Sequence, residues 1–406
     1  MYLHLPFCFH KCHYCDFFSV VDTAADRQEA FTDALLAELS AASEQHRLRP
    51  ATVFVGGGTP TYLRPGLWAR LLDALRSLGV LDDVVEFTVE ANPETVTPEL
   101  MRQLAQGGVN RVSIGAQSFQ RNSLQALERW HDPDNVPRAV EACRDAGIDN
   151  VSLDLIFAIP GQTLDMLDDD LSRLVGLGAS HLSTYGLTYE PNTPLTARLR
   201  VGQVTAIDED TRRQMYAHVI DRLEAEGFEH YEVSNWARRM ADGGWRMANG
   251  KGNGPDLSDG KPSLASDPSA TPHPPSAMAK CLHNLAYWHN KNWLGLGPSA
   301  ASHRDGHRWR NAPNLTTYLD TAPDVATQDH ETLNQDARVG ERFMLGLRLS
   351  EGLALDWIDR HVPADHRRRR EIDELVELGM LQETATHLRL TRKGLFVADS
   401  VVAKLL

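Results

Sequence analysis

The sequence has no run of about 18 apolar residues, so it predicts no membrane-spanning helix. Its first residues, MYLHLPFCFHKC, do not place a basic region before an apolar stretch. We therefore expect no signal peptide and a cytoplasmic protein. Positive charge is also scarce, because 41 Lys and Arg face 55 Asp and Glu, which gives a net charge of -14. This balance disfavours binding to nucleic acid or directly to an anionic membrane.

Cysteine is rare, but its distribution is uneven. Of the five cysteines in 406 residues, Cys8, Cys12 and Cys15 lie on one short segment. In a reducing compartment such clustering indicates metal binding rather than disulfides. Three thiolates at this spacing can hold three irons of a [4Fe–4S] cubane and leave the fourth iron open to another ligand. The spacing alone also permits a zinc site, with His10 or His13 as a further ligand.

Strand-like and helical segments alternate through the first half of the chain. The patterns predict strands at 2–5, 52–55, 85–89, 111–114, 151–156 and 181–186, with helical segments between them. Repeated strand–helix units give parallel strands with right-handed crossovers. Six units predict an α/β fold, a partial (βα)6 TIM-like barrel with one open side. Chemistry in such barrels lies at the carboxyl ends of the strands.

We assign the predicted barrel to residues 1–237, and three further regions follow it. Residues 238–280 are rich in Gly, Pro, Ser and Asp, lack apolar periodicity, and predict a flexible low-complexity insertion. Residues 281–334 form a connecting region. Residues 335–406 predict a small helical domain whose helices precede a short hairpin, an order similar to a winged helix. The acidic chain disfavours DNA binding by that domain.

Polar and glycine-rich motifs follow several of the predicted strands. Each one alone is compatible with a turn or a helix cap. Because parallel strands end at the same edge of a sheet, their succession predicts one shared cavity. The motifs are Gly-Gly-Gly-Thr-Pro-Thr at 56–61, Glu-Ala-Asn-Pro at 90–93, Ser-Ile-Gly-Ala-Gln-Ser-Phe at 113–119, Asp154, and Pro-Gly-Gln-Thr at 160–163.

Together with Tyr-Leu-His-Leu-Pro-Phe-Cys at 2–8 and the cysteine loop, these motifs resemble the HemN/HemW group of radical S-adenosylmethionine (SAM) proteins. The likeness covers nearly the whole chain except residues 238–280. It implies a barrel of the radical SAM type, a [4Fe–4S] cluster rather than zinc on the three cysteines, and SAM on the open iron. The positions that match the group's SAM contacts are Tyr2, Tyr14, Gly57, Gly58, Thr59, Glu90, Gln117, Arg129 and Asp154, with Thr188 and Ala301 as further candidates.

Two functions occur within this group, and four features favour the HemW branch of heme chaperones. They are Asp16 and Phe17 after the third cysteine, the absence of an arm before Tyr2, the stretch at 341–349, and the His-Asn-x-x-Tyr-Trp motif at 283–288. The resemblance therefore implies heme transfer to an acceptor protein, with membrane contact only through that acceptor. The alternative is the HemN activity, an oxygen-independent coproporphyrinogen III oxidase.

The heme motif gives one candidate ligand, His283. Neutral imidazole is a common axial ligand of heme iron, and the neighbouring Tyr287 and Trp288 supply aromatic surface for a porphyrin. Arginines at 304, 308 and 310 could pair with the propionates. The alternative is that His283 only packs between the barrel and the C-terminal domain.

Overall fold

Six parallel strands form the centre of the computed structural model, which describes residues 1–21, 24–239 and 279–406. They are β1 (Tyr2–Leu5), β2 (Thr52–Gly57), β3 (Glu86–Ala91), β4 (Arg111–Gln117), β5 (Asn150–Phe157) and β6 (His181–Gly186). Their order in the sheet is the order in the chain, as right-handed βα units require. In this register Leu5 lies beside Gly57 and Gly115 beside Asp154, so the carboxyl ends lie level with one another.

Six longer helices alternate with or follow these strands. They are α1 (Ala25–His46), α2 (Pro65–Ser77), α3 (Pro98–Gln106), α4 (Asn135–Asp145), α5 (Leu164–Gly176) and α6 (Glu209–Ala225). The starts of α3, α5 and α6 are capped by Thr97, Thr163 and Asp208, whose side chains accept a backbone N–H of the first turn. Proline at the first position of α2 and α3 suits the helical φ angle and requires no N–H partner. Shorter helices span Arg121–Ala126 and Pro194–Arg200.

The sheet extends beyond the six parallel strands at both edges, and within the described residues its two edge strands do not pair with each other. Gly295–Leu296 pairs in parallel with β1, while Phe228–Glu232 and Asn235–Arg238 add an antiparallel pair beside β6. Strand residues such as Val53, Val89 and Val112 are fully buried against the helices. These observations confirm the predicted parallel sheet with an open side.

The C-terminal region has a hydrophobic core of its own, which includes the buried Phe343, Leu375 and Leu388. Its helices span Gln335–Gly346, Leu355–His361, Arg367–Glu377, Arg392–Leu395 and Ala398–Leu405. Leu353–Ala354, Leu381–Glu383 and His387–Leu390 form a three-stranded antiparallel sheet. The predicted helical region with a hairpin near its end is therefore confirmed.

The connecting region contains more structure than the sequence indicated. It holds the helices Leu282–Trp288 and Leu315–Thr321 and a three-stranded sheet of Ala301–Arg304, His307–Asn311 and Thr327–Thr332. The predicted insertion at 238–280 lies outside the described residues except at its ends, where Arg238 belongs to a strand and Lys280 pairs with Glu229 at 2.7 Å. Across the described ranges, no helix combines the length and apolar character needed to cross a membrane.

Candidate functional site

The cysteine loop leaves the carboxyl end of β1 and is largely enclosed. Cys8 and Cys12 are buried, Cys15 is half-buried, and all three are free thiols. Burial raises the pKa of the Cys8 thiol and raises that of Cys15 to about 11. These two thiols are therefore protonated near neutral pH unless a metal cation replaces their protons, which is how thiolate sites couple metal binding to proton release.

A glycine-rich turn at the end of β2 holds this loop in place. The Gly58 N–H donates to Leu5 O at 2.8 Å, and the Thr59 N–H donates to Phe7 O at 2.7 Å. A Cβ atom on Gly58 would lie only 2.6 Å from Phe7 O, so the two backbones approach too closely for any side chain. The Thr59 hydroxyl also lies 3.5 Å from Cys8 Sγ.

A cavity of about 460 Å³ opens beside the cysteine loop at the carboxyl ends of the strands. It brings together residues that are far apart in the sequence, as the motif succession predicted. Besides the three cysteines, the residues proposed from the sequence that line it are Tyr14, Gly57, Gly58, Thr59, Glu90, Gln117, Arg129, Asp154 and Thr188. We call it the cluster-side cavity.

Arg129 supplies positive charge to this cavity. One of its terminal nitrogens lies 3.6 Å from Cys12 Sγ, and the other donates to Gly115 O at 3.1 Å. Its Nε is buried and has no hydrogen-bond partner within the described residues. A half-buried guanidinium beside thiols suits a site that accumulates negative charge, since it offsets that charge and can pair with a carboxylate.

Two carboxyl groups supply the opposite charge. Burial, with a contribution from the charge of Asp154, raises the pKa of Glu90 to about 7. The Glu90 Oε2 accepts the Gly57 N–H at 3.2 Å. Burial also raises the pKa of Asp154, whose Oδ1 accepts the Ser113 hydroxyl at 3.1 Å. A cationic ligand in the cavity would favour the ionised form of both groups.

A second cavity of about 570 Å³ adjoins the first. Its lining includes Tyr2, His283, Tyr287, Ala301, Arg308 and Arg310. Tyr2 was expected among the SAM contacts, but it lines this second cavity and not the first. The reason is its place at the amino end of β1, remote from the loop that leaves the carboxyl end; its hydroxyl lies 3.0 Å from His4 Nδ1. We call this space the heme-motif cavity.

His283 lies in the wall of the heme-motif cavity with both ring nitrogens engaged. Nδ1 is 2.8 Å from the Thr52 hydroxyl and Nε2 is 2.9 Å from the Tyr287 hydroxyl. Burial lowers the pKa of His283 to about 3, so the ring is neutral at physiological pH. Its ring also stacks on Phe54, with 5.1 Å between centroids.

Two residues that the sequence predicted to contact a porphyrin, Trp288 and Arg304, do not line this cavity. Trp288, the last residue of the motif, packs its ring under the Arg348 guanidinium of the C-terminal region, 5.7 Å away. Arg304 donates to His46 Nδ1 at 2.9 Å and lines a different depression. Helix periodicity explains the first case, because Tyr287 and Trp288 are successive helical residues and point in different directions.

Comparison with known proteins agrees with this geometry. Residues 2–174 match the model of the radical SAM superfamily, and residues 333–397 match the HemN C-terminal domain. The protein named heme chaperone HemW of Lactococcus lactis is 31% identical over 407 residues, which cover 100% of this chain and 96% of that protein. The chain belongs to the HemN/HemW group of radical SAM proteins.

Two further relatives support this placement. The heme chaperone HemW of Mycobacterium tuberculosis is 34% identical over 411 residues, covering 100% of this chain and 94% of that protein. Among solved structures, the coproporphyrinogen III oxidase HemN of Escherichia coli matches with a TM-score of 0.78 at 18% identity, over 100% of this chain and 89% of that one. The latter likeness shows the shared fold. Membership of the radical SAM superfamily implies a [4Fe–4S] cluster and SAM.

The donor chemistry of the cysteine loop fits the cluster that the superfamily implies. Cys8, Cys12 and Cys15 lie on one loop as free thiols, and three thiolates can each hold one iron of a cubane. The cavity beside the loop leaves room for a ligand on the open iron.

Sequence reasoning missed one residue that shapes the second site. Glu86, the first residue of β3, is buried, and its carboxylate accepts the N–H groups of Leu282 at 2.7 Å and His283 at 3.0 Å. It thereby caps the helix that carries the heme motif, whose own N-cap residue, Cys281, makes no side-chain cap. The sequence does show an acidic residue at the start of a buried strand, which indicates a polar partner. That partner, the backbone N–H of His283, lies 197 residues further along the chain, so the sequence could not identify it.

Proposed function

We propose that this chain is a heme chaperone, which binds heme in the heme-motif cavity and passes it to an acceptor protein. The single observation that carries the proposal is that cavity, which combines aromatic surface, two arginines and the motif histidine. The names of the full-length relatives support it. The acceptor is a protein, and the chain's net charge of -14 gives no basis for nucleic acid as a partner.

The lining of the heme-motif cavity suits a flat macrocycle that carries carboxylates. Tyr2, Phe54, Tyr287 and Trp293 offer aromatic area to its faces. Arg308 and Arg310 are partly exposed, and guanidinium groups bind carboxylates in two-point contacts. Arg308 now pairs with Glu341, and Arg310 pairs with Asp329 at 2.7 Å. Heme propionates would take the place of those acidic partners.

The hydrogen bonds of His283 define how it would ligate iron. If Nδ1–H donates to the Thr52 hydroxyl, Nε2 keeps its lone pair and accepts from Tyr287. That tautomer is the one that coordinates iron through Nε2, and a partner on the other nitrogen is the usual way to hold it. Ligation through Nε2 then requires the whole Tyr287 side chain to move, because its hydroxyl oxygen lies 2.9 Å from that nitrogen.

In the cluster-side cavity, we propose that Cys8, Cys12 and Cys15 hold the [4Fe–4S] cluster. Arg129 offsets the charge of the thiolates, while Glu90 and Asp154 favour the cationic SAM. Tyr14, Thr59 and Gln117 complete the lining and exclude water. When bound and reduced, the cluster supplies an electron that can cleave a C–S bond of SAM.

The two functions of the group separate in one experiment. The cluster is reconstituted without oxygen, and heme and coproporphyrinogen III are then added to separate samples. We expect stable heme uptake, seen as a Soret band that stays with the protein on gel filtration, and no decarboxylation. Decarboxylation of coproporphyrinogen without heme retention would overturn the chaperone proposal in favour of the oxidase.

Substitutions on the motif helix test the ligand assignment. His283→Ala should lose the spectrum of ligated heme, and Tyr287→Phe should strengthen heme binding, because it frees Nε2. His289→Ala is the matched control, since His289 follows the same helix but does not line the cavity. If His283→Ala folds and keeps the wild-type heme spectrum, His283 is a packing residue and not a ligand.

A further inference from the structure

The two arginines of the heme-motif cavity have acidic partners that differ greatly in burial. Arg308 donates to Glu341, whose side chain is only 8% exposed. Arg310 pairs at 2.7 Å with Asp329, whose side chain is 58% exposed. Glu331, 3.6 Å from Arg308, is exposed as well. Water solvates an exposed carboxylate once its ion pair opens, so separating such a pair costs little. Glu341 is the acid for which loss of its arginine is most unfavourable.

Glu341 is also held from its other side. Its second carboxylate oxygen accepts the side-chain amide N–H of Asn290, just beyond the motif helix, at 2.9 Å. The next residue, Arg342, donates to the carbonyl oxygen of Trp288 at 3.1 Å, which fastens the same helix to the motif helix. A carboxylate held by these bonds stays in the cavity wall when Arg308 binds another anion.

We infer that Glu341 competes with the heme propionates for Arg308 and thereby keeps heme binding weak enough for transfer. The inference rests on the proposed function and deepens it, since it names the residue that governs release. If a propionate displaces Glu341, a buried carboxylate loses its charged partner, which is unfavourable. If Arg308 binds both anions, two negative charges lie close together and repel each other. Both arrangements lower the affinity for heme.

The competing charge acts on the propionates and not on the iron. Glu341 belongs to the C-terminal region, whereas His283 is fixed by Thr52 of the barrel and by Tyr287 of its own helix. Removing the Glu341 charge should therefore change how tightly and how long heme stays bound. The absorbance spectrum of the ligated iron should stay the same.

The test compares Glu341→Gln with Asp329→Asn, which removes the exposed partner of Arg310. Affinity for hemin, which is ferric heme, is measured by absorbance on the full chain with a reconstituted cluster. The rate of heme loss is followed by capture with apomyoglobin. Each protein is also titrated with hemin dimethyl ester, whose propionates carry no charge. Glu341→Met, which has a side chain of similar volume and no carboxylate, is a second variant in case Glu341→Gln does not fold.

We expect Glu341→Gln to bind hemin about tenfold more tightly, which corresponds to about 1.4 kcal/mol, and to release it more slowly. Asp329→Asn should change the affinity less than about fivefold, because exposed ion pairs contribute little. The dimethyl ester should bind equally to the wild type and to Glu341→Gln.

Unchanged or weaker hemin binding in Glu341→Gln would overturn the inference, since Glu341 would then be indifferent to heme or would position Arg308 for it. Equal tightening of hemin and its ester would overturn it as well, because the effect would come from the shape of the cavity. Absence of hemin binding in the wild type and in both variants would instead refute the proposed function itself.

Discussion

Replacing Gly58 by alanine should damage the cluster loop rather than only the ligand cavity. An added Cβ would lie 2.6 Å from Phe7 O and 2.7 Å from the Pro6 carbonyl carbon, both of them backbone atoms that cannot turn aside. The substitution must therefore push β2 away from the loop and stretch the Gly58–Leu5 and Thr59–Phe7 hydrogen bonds. Overpacking of this kind costs about 1–3 kcal/mol, and each weakened hydrogen bond adds about 1 kcal/mol.

The assay combines cluster content with stability. Iron and sulfide per chain and the absorbance at about 400 nm are measured after anaerobic reconstitution, and urea unfolding gives the free energy of unfolding. Gly66→Ala is the control, because no atom lies within 4 Å of a Cβ placed there. We expect Gly58→Ala to bind less iron and sulfide per chain and to lower the free energy of unfolding by about 2–4 kcal/mol. The control should change neither quantity. Full cluster occupancy with unchanged stability in Gly58→Ala would refute the packing argument.

Three further predictions follow from other contacts. Arg129→Gln should weaken SAM binding about tenfold or more in calorimetry, because a charge-assisted hydrogen bond contributes about 1.5–3 kcal/mol; an unchanged Kd would contradict the role of Arg129. Burial raises the pKa of Asp170 from 3.8 to about 6, so the native state binds the proton more tightly than the unfolded state. The stabilisation from this proton is present below pH 3.8 and is lost as the pH rises through 6. Asp170→Asn should therefore reduce the dependence of the free energy of unfolding on pH, measured by urea unfolding at several pH values. An unchanged pH dependence in the variant would show that Asp170 does not cause it. Phe343→Ala should cost about 3–5 kcal/mol in the C-terminal region, and a loss below about 1 kcal/mol would mean that its core repacks.

The strands of the barrel could be predicted from the sequence because each is a short apolar run bounded by turn residues. The boundaries differ in one systematic way. The prediction ended the second strand at residue 55 and the fourth at 114, whereas β2 ends at Gly57 and β4 at Gln117. Glycine, and to a lesser degree alanine, is depleted in strands, so the pattern placed Gly56, Gly57, Gly115 and Ala116 in loops. Hydrogen bonding to neighbouring strands overrides that preference, so each of these motifs begins inside a strand and continues into the loop that follows.

The heme-motif cavity could not be predicted as a space, although several of its residues were recognised. It joins Tyr2 of β1, Phe54 of β2, Tyr287 of the motif helix and Glu341 of the C-terminal region. Nothing in local periodicity indicates that these segments meet. The Gly295–Leu296 strand, which brings the connecting region beside β1, is only two residues long and too short for any strand pattern to reveal. Tertiary contact alone determines this part of the site.

The strands β2 and β3 each serve both sites, which explains why the sites lie so close together. At its amino end β2 presents Thr52 to His283, and at its carboxyl end Gly57 lines the cluster-side cavity. Likewise β3 begins with Glu86, which caps the motif helix, and carries Glu90 near its other end. Six residues of extended chain span roughly 16 Å, so the two rigid strands fix the distance between the motif helix at their amino ends and the cysteine loop at their carboxyl ends. A substitution that shifts either strand must therefore move both sites together.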